Sequence, residues 1–464
     1  MPTTGTSRFE PVGALGDPGR LTLRAAAAGI RDGRFTSLDL TRAYFGQIDR
    51  HEIAVHAWSW IDEDRALACA RDADRNLAAG RIAGPLHGVP IAVKDIIYTE
   101  GVPTGMGSPI FADFIPTHSA ACVQSLVGAG AYVQGKTVTA EFATRHPGAT
   151  TNPWNAQFTP GGSSSGSAAA VAAGFTAAAL GTQTVGSITR PAVYCGVIGY
   201  KPSYGLISRF GVHPVSHTLD QVGVLTRTVD DAGFLASLMM GADSRDPATL
   251  GVAVPQGLDE LQLPARGLRI ASVRSPSWVL ADARQQALFE ANCGALAAGG
   301  TVVEALELPA RFEDAVRVTR VIQAVEAAFH FKSMMATDAD RTSGEFRALF
   351  ERGLGIPEIE YAAALEARAA MRADLDRMFS SFDVVATPPA TGEPPQSIAS
   401  TGSAEFCAIW TLCGLPSVAF PTGLGAHGLP MGLQVVGRYL DDRHLLQAAN
   451  WCIQRLPFPF QPKP

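Results

Sequence analysis

Pro160-Gly161-Gly162-Ser163-Ser164-Ser165-Gly166-Ser167 and, after an alanine-rich run, Gly181-Thr182-Gln183-Thr184-Val185-Gly186-Ser187-Ile188-Thr189-Arg190-Pro191-Ala192 crowd glycines and hydroxyls around short apolar runs. Glycine, and side chains that hydrogen-bond their own backbone, are poor material for a helix or strand interior. They suit a place where backbone N–H groups must approach a ligand and a serine is presented in a tight turn. A glycine-serine linker would be polar throughout, whereas residues 168–180 are nearly continuously apolar. Residues 177–182 read as a buried strand. Ser187 therefore falls in the loop beyond a strand end, which is where ligands sit in open α/β sheets.

The rest of the chain supplies the frame. Its 464 residues are 47% hydrophobic and 17% charged, enough to bury a large core, with a net charge of −6 and no basic stripe. Nucleic acid is therefore not an expected partner. Residues 1–15 lack a basic start followed by an apolar run, and the longest apolar stretch is too short to span a bilayer. The expectation is a cytoplasmic protein away from membranes. The seven cysteines are scattered, odd in number and free of CxxC pairs, and no histidine pattern reads as HExxH. Buried thiols, and neither a metal site nor a disulfide framework, are expected.

Along the chain, helices are predicted over 21–30, onward from a Ser37 cap, over 62–79 and over 119–130, with an aromatic strand over 54–61 and strands over 91–93 and 131–136. Residues 199–205 read as turns, and 220–228 as a lead into a helix near 230–240. Residues 268–273 and 302–308 read as strands, and 281–298 as a helix. Long helices follow over 311–336, 344–353 and 357–381. Strands at 383–387, 414–421 and 431–436 and a helix at 443–456 close the chain. The pattern predicts one α/β domain over 1–464, a large mixed twisted sheet flanked by helices on both sides. A helical insertion over 241–380 would form an accessory wall.

Lys94 ends the apolar run Ile91-Ala92-Val93. It reads either as a strand-end lysine that snorkels to solvent or pairs with Asp95, or as a desolvated base. A serine hydroxyl needs a base to act as a nucleophile. No histidine lies in the motif region near Ser187; His213 and His217 are the nearest downstream and read as loop or core residues. The G-x-S-x-G elbow is absent there. A serine–lysine relay is the remaining arrangement.

Gly88-Val89-Pro90-Ile91-Ala92-Val93-Lys94-Asp95, the 161–167 stretch and the 181–187 stretch, in that order, make the sequence resemble the amidase signature family. Weaker echoes occur at Leu219-Asp220-Gln221-Val222-Gly223 and from Gly414 to Gly437. The resemblance implies an amidohydrolase without cofactor or metal that cleaves a C–N amide bond of a small molecule. Ser187 would be the nucleophile, Ser163 a bridging serine after a cis bond to Gly162, and Lys94 the base. The N–H groups of Thr184, Val185, Gly186 and Ser187 would form the oxyanion hole. Carbamate or ester hydrolysis at the same site is an alternative. So is the glutamine-hydrolysing subunit of a tRNA-dependent amidotransferase, but Gln183 stands where that subunit usually carries Asp. The sequence therefore reads as nearer to small-molecule amidases such as malonamidase. A homodimer is compatible with this reading, and a catalytically silent scaffold is its rival of another class.

Two departures stand out. Ser165 and Val185 replace glycines usual in the family, and Val185 cannot easily take φ > 0. Arg190, three positions after Ser187, reads either as a grip on a substrate carboxylate or as a brace for the loop. Met106, Trp154, Tyr132 and Trp410 could line a pocket, but read first as packing.

Overall fold

The computed structural model describes residues 17–263 and 267–462; the N-terminal stretch read for a targeting signal lies outside them. Eleven strands run in chain order as β1 (Trp58–Ile61), β2 (Pro90–Lys94), β3 (Tyr132–Thr137), β4 (Ala178–Gln183), β5 (Ile198–Lys201), β6 (Gln221–Thr226), β7 (Arg269–Val273), β8 (Val302–Leu306), β9 (Val384–Thr387), β10 (Ser417–Leu424) and β11 (Pro430–Gly437). They form one sheet in the order β1-β3-β2-β4-β6-β5-β10-β11-β9-β7-β8. β2 is parallel to both β3 and β4, whereas β4 is antiparallel to β6. The sheet is mixed, and at β4, the strand that leads to Ser187, the parallel group β3-β2-β4 gives way to antiparallel pairing.

Both faces are covered, and the strands show it by alternation. Ile91 and Val93 of β2 join one hydrophobic core, and Ala92 between them joins another. Ala178 and Leu180 of β4 side with the first, Ala179 with the second. Such strands read as continuous apolar runs because neither face meets water.

The helices are α1 (Leu23–Arg31), α2 (Ser37–Val55), α3 (Glu63–Ala78), α4 (Ala121–Gly128), α5 (Ser165–Ala172), α6 (Thr189–Cys195), α7 (Val229–Ser237), α8 (Ala283–Ala298), α9 (Ala315–Asp338), α10 (Gly344–Gly355), α11 (Glu358–Met378), α12 (Glu405–Leu412) and α13 (Asp442–Arg455). Thr36, not Ser37, caps α2, in a capping box with Asp39, because the hydroxyl must precede the first helical residue to reach its N–H groups. No helix among the described residues is long and apolar enough to cross a membrane.

Several expectations are corrected. The strand read over 54–61 is split: α2 runs through Val55 and only Trp58–Ile61 pairs with β3. Residues 221–226 are a strand, hidden in sequence by Gly223, whose missing side chain lets Tyr200 O approach a would-be Cβ to 2.4 Å. Residues 198–201, read within a turn-rich region, pair with β6 and β10. Segment 241–380 is not helical throughout, because β7 and β8 extend the common sheet beyond β9. The helical wall proper is α9 to α11.

That wall depends on close approach. At Gly353 of α10 a Cβ would meet Ala324 O of α9 at 2.0 Å and Ala328 Cβ at 2.7 Å. Gly353→Ala should push α10 off α9 and destabilise the protein by about 1–3 kcal/mol. A thermal unfolding midpoint unchanged from the parent protein would contradict this.

Candidate active site

Three loops meet beyond the carboxyl ends of the parallel strands β2 and β4. The first ends β2 at Lys94. The second, ahead of α5, carries Ser163 after a cis peptide bond to Gly162. The third joins β4 to α6 and carries Ser187. The glycines allow this convergence. At Gly166 a Cβ would lie 2.2 Å from Ala57 O and 2.4 Å from Val138 N. At Gly186 it would press on Cys407 Sγ of α12 at 3.0 Å.

Lys94 is fully buried. Its Nζ lies 2.7 Å from Ser163 Oγ and donates to Thr182 Oγ1 at 2.8 Å. Burial drives its pKa well below the ordinary lysine value of 10.5, opposed by the Asp220 charge. An ammonium in this setting loses its hydration and gains no adjacent carboxylate, so the neutral amine is favoured. Asp95, the alternative partner, instead lies 3.7 Å from Lys136.

The two serine loops are joined directly, since Ser164 N donates to Ser187 O at 3.3 Å. Ser167 Oγ bonds Thr137 Oγ1 at 2.7 Å and Leu180 O at 2.9 Å, tying α5 to β3 and β4. Gln183 Oε1 accepts from Ile188 N at 2.8 Å and Thr189 N at 3.0 Å. Gln183 Nε2 donates to Thr411 Oγ1, which in turn donates to Val185 O at 2.7 Å. Thr184 Oγ1 donates to Asp220 Oδ1 at 2.6 Å. Asp220 Oδ2 accepts from Val215 N and Ser216 N, both at 2.8 Å. Among the described residues, no hydrogen bond leaves the backbone N–H groups of Thr184, Val185, Gly186 or Ser187. Four free donors in one braced loop make a concavity suited to negative charge. Val185 does not take a left-handed backbone, so the departure from glycine there is absorbed without strain.

Ser187, Thr184 and Val185 line a cavity of about 440 Å³ whose other walls include Val316, Thr319 and Arg320 of α9. Arg190 also borders it, yet its guanidinium is engaged elsewhere. Arg190 Nη1 donates to Gly402 O at 2.9 Å, and Nη2 to Gly162 O and Thr401 Oγ1. It braces the loop, and its fork is not open to a substrate.

The remaining pocket candidates lie elsewhere. Met106 is fully buried in the core. Trp154 donates from Nε1 to Cys195 O at 2.9 Å and stacks near Phe458. Tyr132 bonds Thr41, and Trp410 is fully buried. Aromatic residues in loop-like sequence do not reveal which side they pack on. Sequence reasoning missed Thr182 and the place of Asp220. Thr182 could have been found as a hydroxyl interrupting an apolar strand, and Asp220 as the carboxylate of the Leu219–Gly223 echo.

The comparisons with known proteins agree with this geometry. Residues 39–446 match the family model described as Amidase. A glutamyl-tRNA(Gln) amidotransferase subunit from Anaeromyxobacter sp. (strain K) is 35% identical, over 96% of this chain and 98% of its own. The native peptide amidase from Stenotrophomonas maltophilia superposes with a TM-score of 0.80 at 29% identity, covering 96% of this chain and 98% of that one. A structure from a vestigial protein complex, described as revealing the evolutionary origins of an s-triazine catabolic enzyme, superposes with a TM-score of 0.88 at 27% identity, covering 96% of this chain and all of that one. The expectation that the sequence stands nearer to small-molecule amidases than to the amidotransferase component is not supported, because curated relatives of that type match at 34–35% identity along nearly the whole chain. Motif departures at single positions such as Gln183 say little about kinship spread over hundreds of residues. The chain belongs to the amidase family and is an amide-hydrolysing enzyme.

Proposed function

We propose that the enzyme cleaves the C–N bond of a small-molecule amide through an acyl-enzyme on Ser187, using Ser163 and Lys94 as a proton relay. The observation that carries this reading is the 2.7 Å contact between a fully buried Lys94 and Ser163. A neutral amine accepts the Ser163 proton while Ser163 accepts that of Ser187, and the Ser187 oxygen attacks the amide carbon. The carbonyl oxygen becomes an oxyanion facing the N–H groups of residues 184–187. One such donor typically contributes about 10²–10³ in rate. The relay returns the proton to the departing nitrogen, the amine leaves, and water repeats the cycle on the acyl-enzyme. Thr182 holds the lysine in place, and Asp220 holds the oxyanion loop through Thr184.

A second reading has support of its own. The 35% identity to a glutamyl-tRNA(Gln) amidotransferase component over 96% of the chain favours glutamine as amide donor and a multi-protein assembly as the working form. Glutaminase activity and co-purification of other proteins from the native host test it. A chain that purifies alone and leaves glutamine intact while cleaving other amides decides for the stand-alone enzyme.

Ser187→Ala should reduce amide hydrolysis by about 10⁴-fold or more and abolish labelling by a fluorophosphonate probe. Labelling that persists, or that maps to another serine, would remove Ser187 from the nucleophile's role. Lys94 acts only when neutral, so kcat/KM should rise with pH through its pKa and then level off. Burial places that rise well below the ordinary lysine value of 10.5. The Asp220 carboxylate favours the ammonium form, so Asp220→Asn should move the rise to lower pH. A shift to higher pH would show that Asp220 does not act on Lys94 through charge.

A further inference from the structure

We propose that the cavity takes an amide that also carries a carboxylate, and that Arg145 is the group that binds this carboxylate. The inference rests on the amide-hydrolase reading and adds a substrate class to it.

Charge in the cavity is the first observation. Arg145, Arg190 and Arg320 line it, against Glu345 and Glu405. Both acids are engaged: Glu405 bonds Arg320, and Glu345 lies 3.2 Å from His146. Among the described residues, Arg145 forms no ion pair or hydrogen bond, although Glu405 is near enough to act on its charge. Arg190 is only 4% exposed, and its bonds run solely to neutral oxygens, with Nε buried and unpartnered. Arg190 therefore sets a positive field at the cavity wall without a free fork, and Arg145 offers the free fork. Like-charged neighbours Arg320 and Arg352 raise the cost of leaving Arg145 without a counter-ion. A guanidinium fork matches a carboxylate in two parallel hydrogen bonds.

The second observation is that the turn carrying Arg145 is fixed. Phe142 and Ala143 both take left-handed backbone, at φ 48° and 57°. For residues with a β-carbon this conformation costs about 1–3 kcal/mol each and persists only where the surroundings impose it. The turn is closed on both sides of Arg145, since Glu141 N donates to His146 O at 2.9 Å and Thr144 N to Glu141 O at 2.8 Å. Phe142 is locked by Phe346 and Phe331, with ring centroids 4.7 and 5.0 Å away. The Glu141 carboxylate caps the start of α10 through Ser343 N at 3.2 Å. A fixed backbone sets where the exposed Arg145 side chain starts, so binding an anion orders the side chain and not the turn as well.

The test pairs succinamic acid, which bears an amide and a carboxylate, with butyramide, its neutral counterpart. The wild-type enzyme should prefer succinamic acid. Arg145→Ala should raise KM for succinamic acid at least tenfold more than for butyramide, Arg145→Lys should recover part of the difference, and added salt should narrow it. Equal losses on both substrates, or a wild-type preference for butyramide, would overturn the proposal. Calorimetric binding of succinate supplies a readout that does not need turnover: binding weakened tenfold or more by Arg145→Ala supports the assignment, and no binding, or binding unchanged by the substitution, sinks it. If neither amide is cleaved and Ser187 resists the fluorophosphonate probe, the hydrolase reading fails, and the succinate result still decides the role of Arg145.

Discussion

A buried amine sets the terms for this structure. Lys94 ends a strand covered on both faces, and water does not reach its nitrogen. Burying a charged ammonium without a partner would cost several kcal/mol, so the fold favours the neutral form and meets its hydrogen-bonding needs with two hydroxyls. One, on Thr182, comes from the neighbouring strand β4. The other, on Ser163, comes from the loop ahead of α5. Both partners are in place because β2 and β4 run parallel and their ends open on the same edge of the sheet. The strand order, the close approach at Gly166 and the tie between Ser164 and Ser187 all serve to bring hydroxyls to one nitrogen.

Around that centre the structure separates fixing from shaping. Gln183, Thr411, Asp220 and Thr184 hold the loop of free N–H groups by side-chain bonds, and Arg190 fastens the preceding loop to residues 401 and 402. These side chains serve the loops, and of them Thr184 and Arg190 also border the cavity. The rest of the cavity wall comes from α9, from the turn at 143–145 and from the segment before α12.

How much of this the sequence disclosed follows from the range of the forces involved. Strands β2 and β4 were legible because burial on both faces demands unbroken apolar runs. The convergence of Lys94, Ser163 and Ser187 was legible only through family resemblance, since nothing in local spacing shows that residues far apart in sequence meet. Strand β6 escaped notice because Gly223 sits there for the benefit of Tyr200, a neighbour in space. Arg190 illustrates a different limit: its type and position were compatible with a substrate grip as well as with the loop brace, and only the positions of Gly162 O, Thr401 Oγ1 and Gly402 O decide between them. Met106 and Trp154 failed as pocket residues for the same reason, their apolar surfaces being needed by the core and by Phe458.

Helix α9 has a second attachment. Glu326, 1% exposed, accepts from Thr218 N at 3.0 Å and from the hydroxyls of Ser216, Thr218 and Tyr361. It thereby fastens the helix to the turn that leads to Asp220. Over the three preceding turns, Val316, Thr319, Arg320 and Gln323 line the cavity. One helix thus lines the cavity with its earlier turns and is tied through Glu326 to the turn that carries Asp220, so a displacement of α9 would reach the cavity wall and the loop braced by Asp220 together.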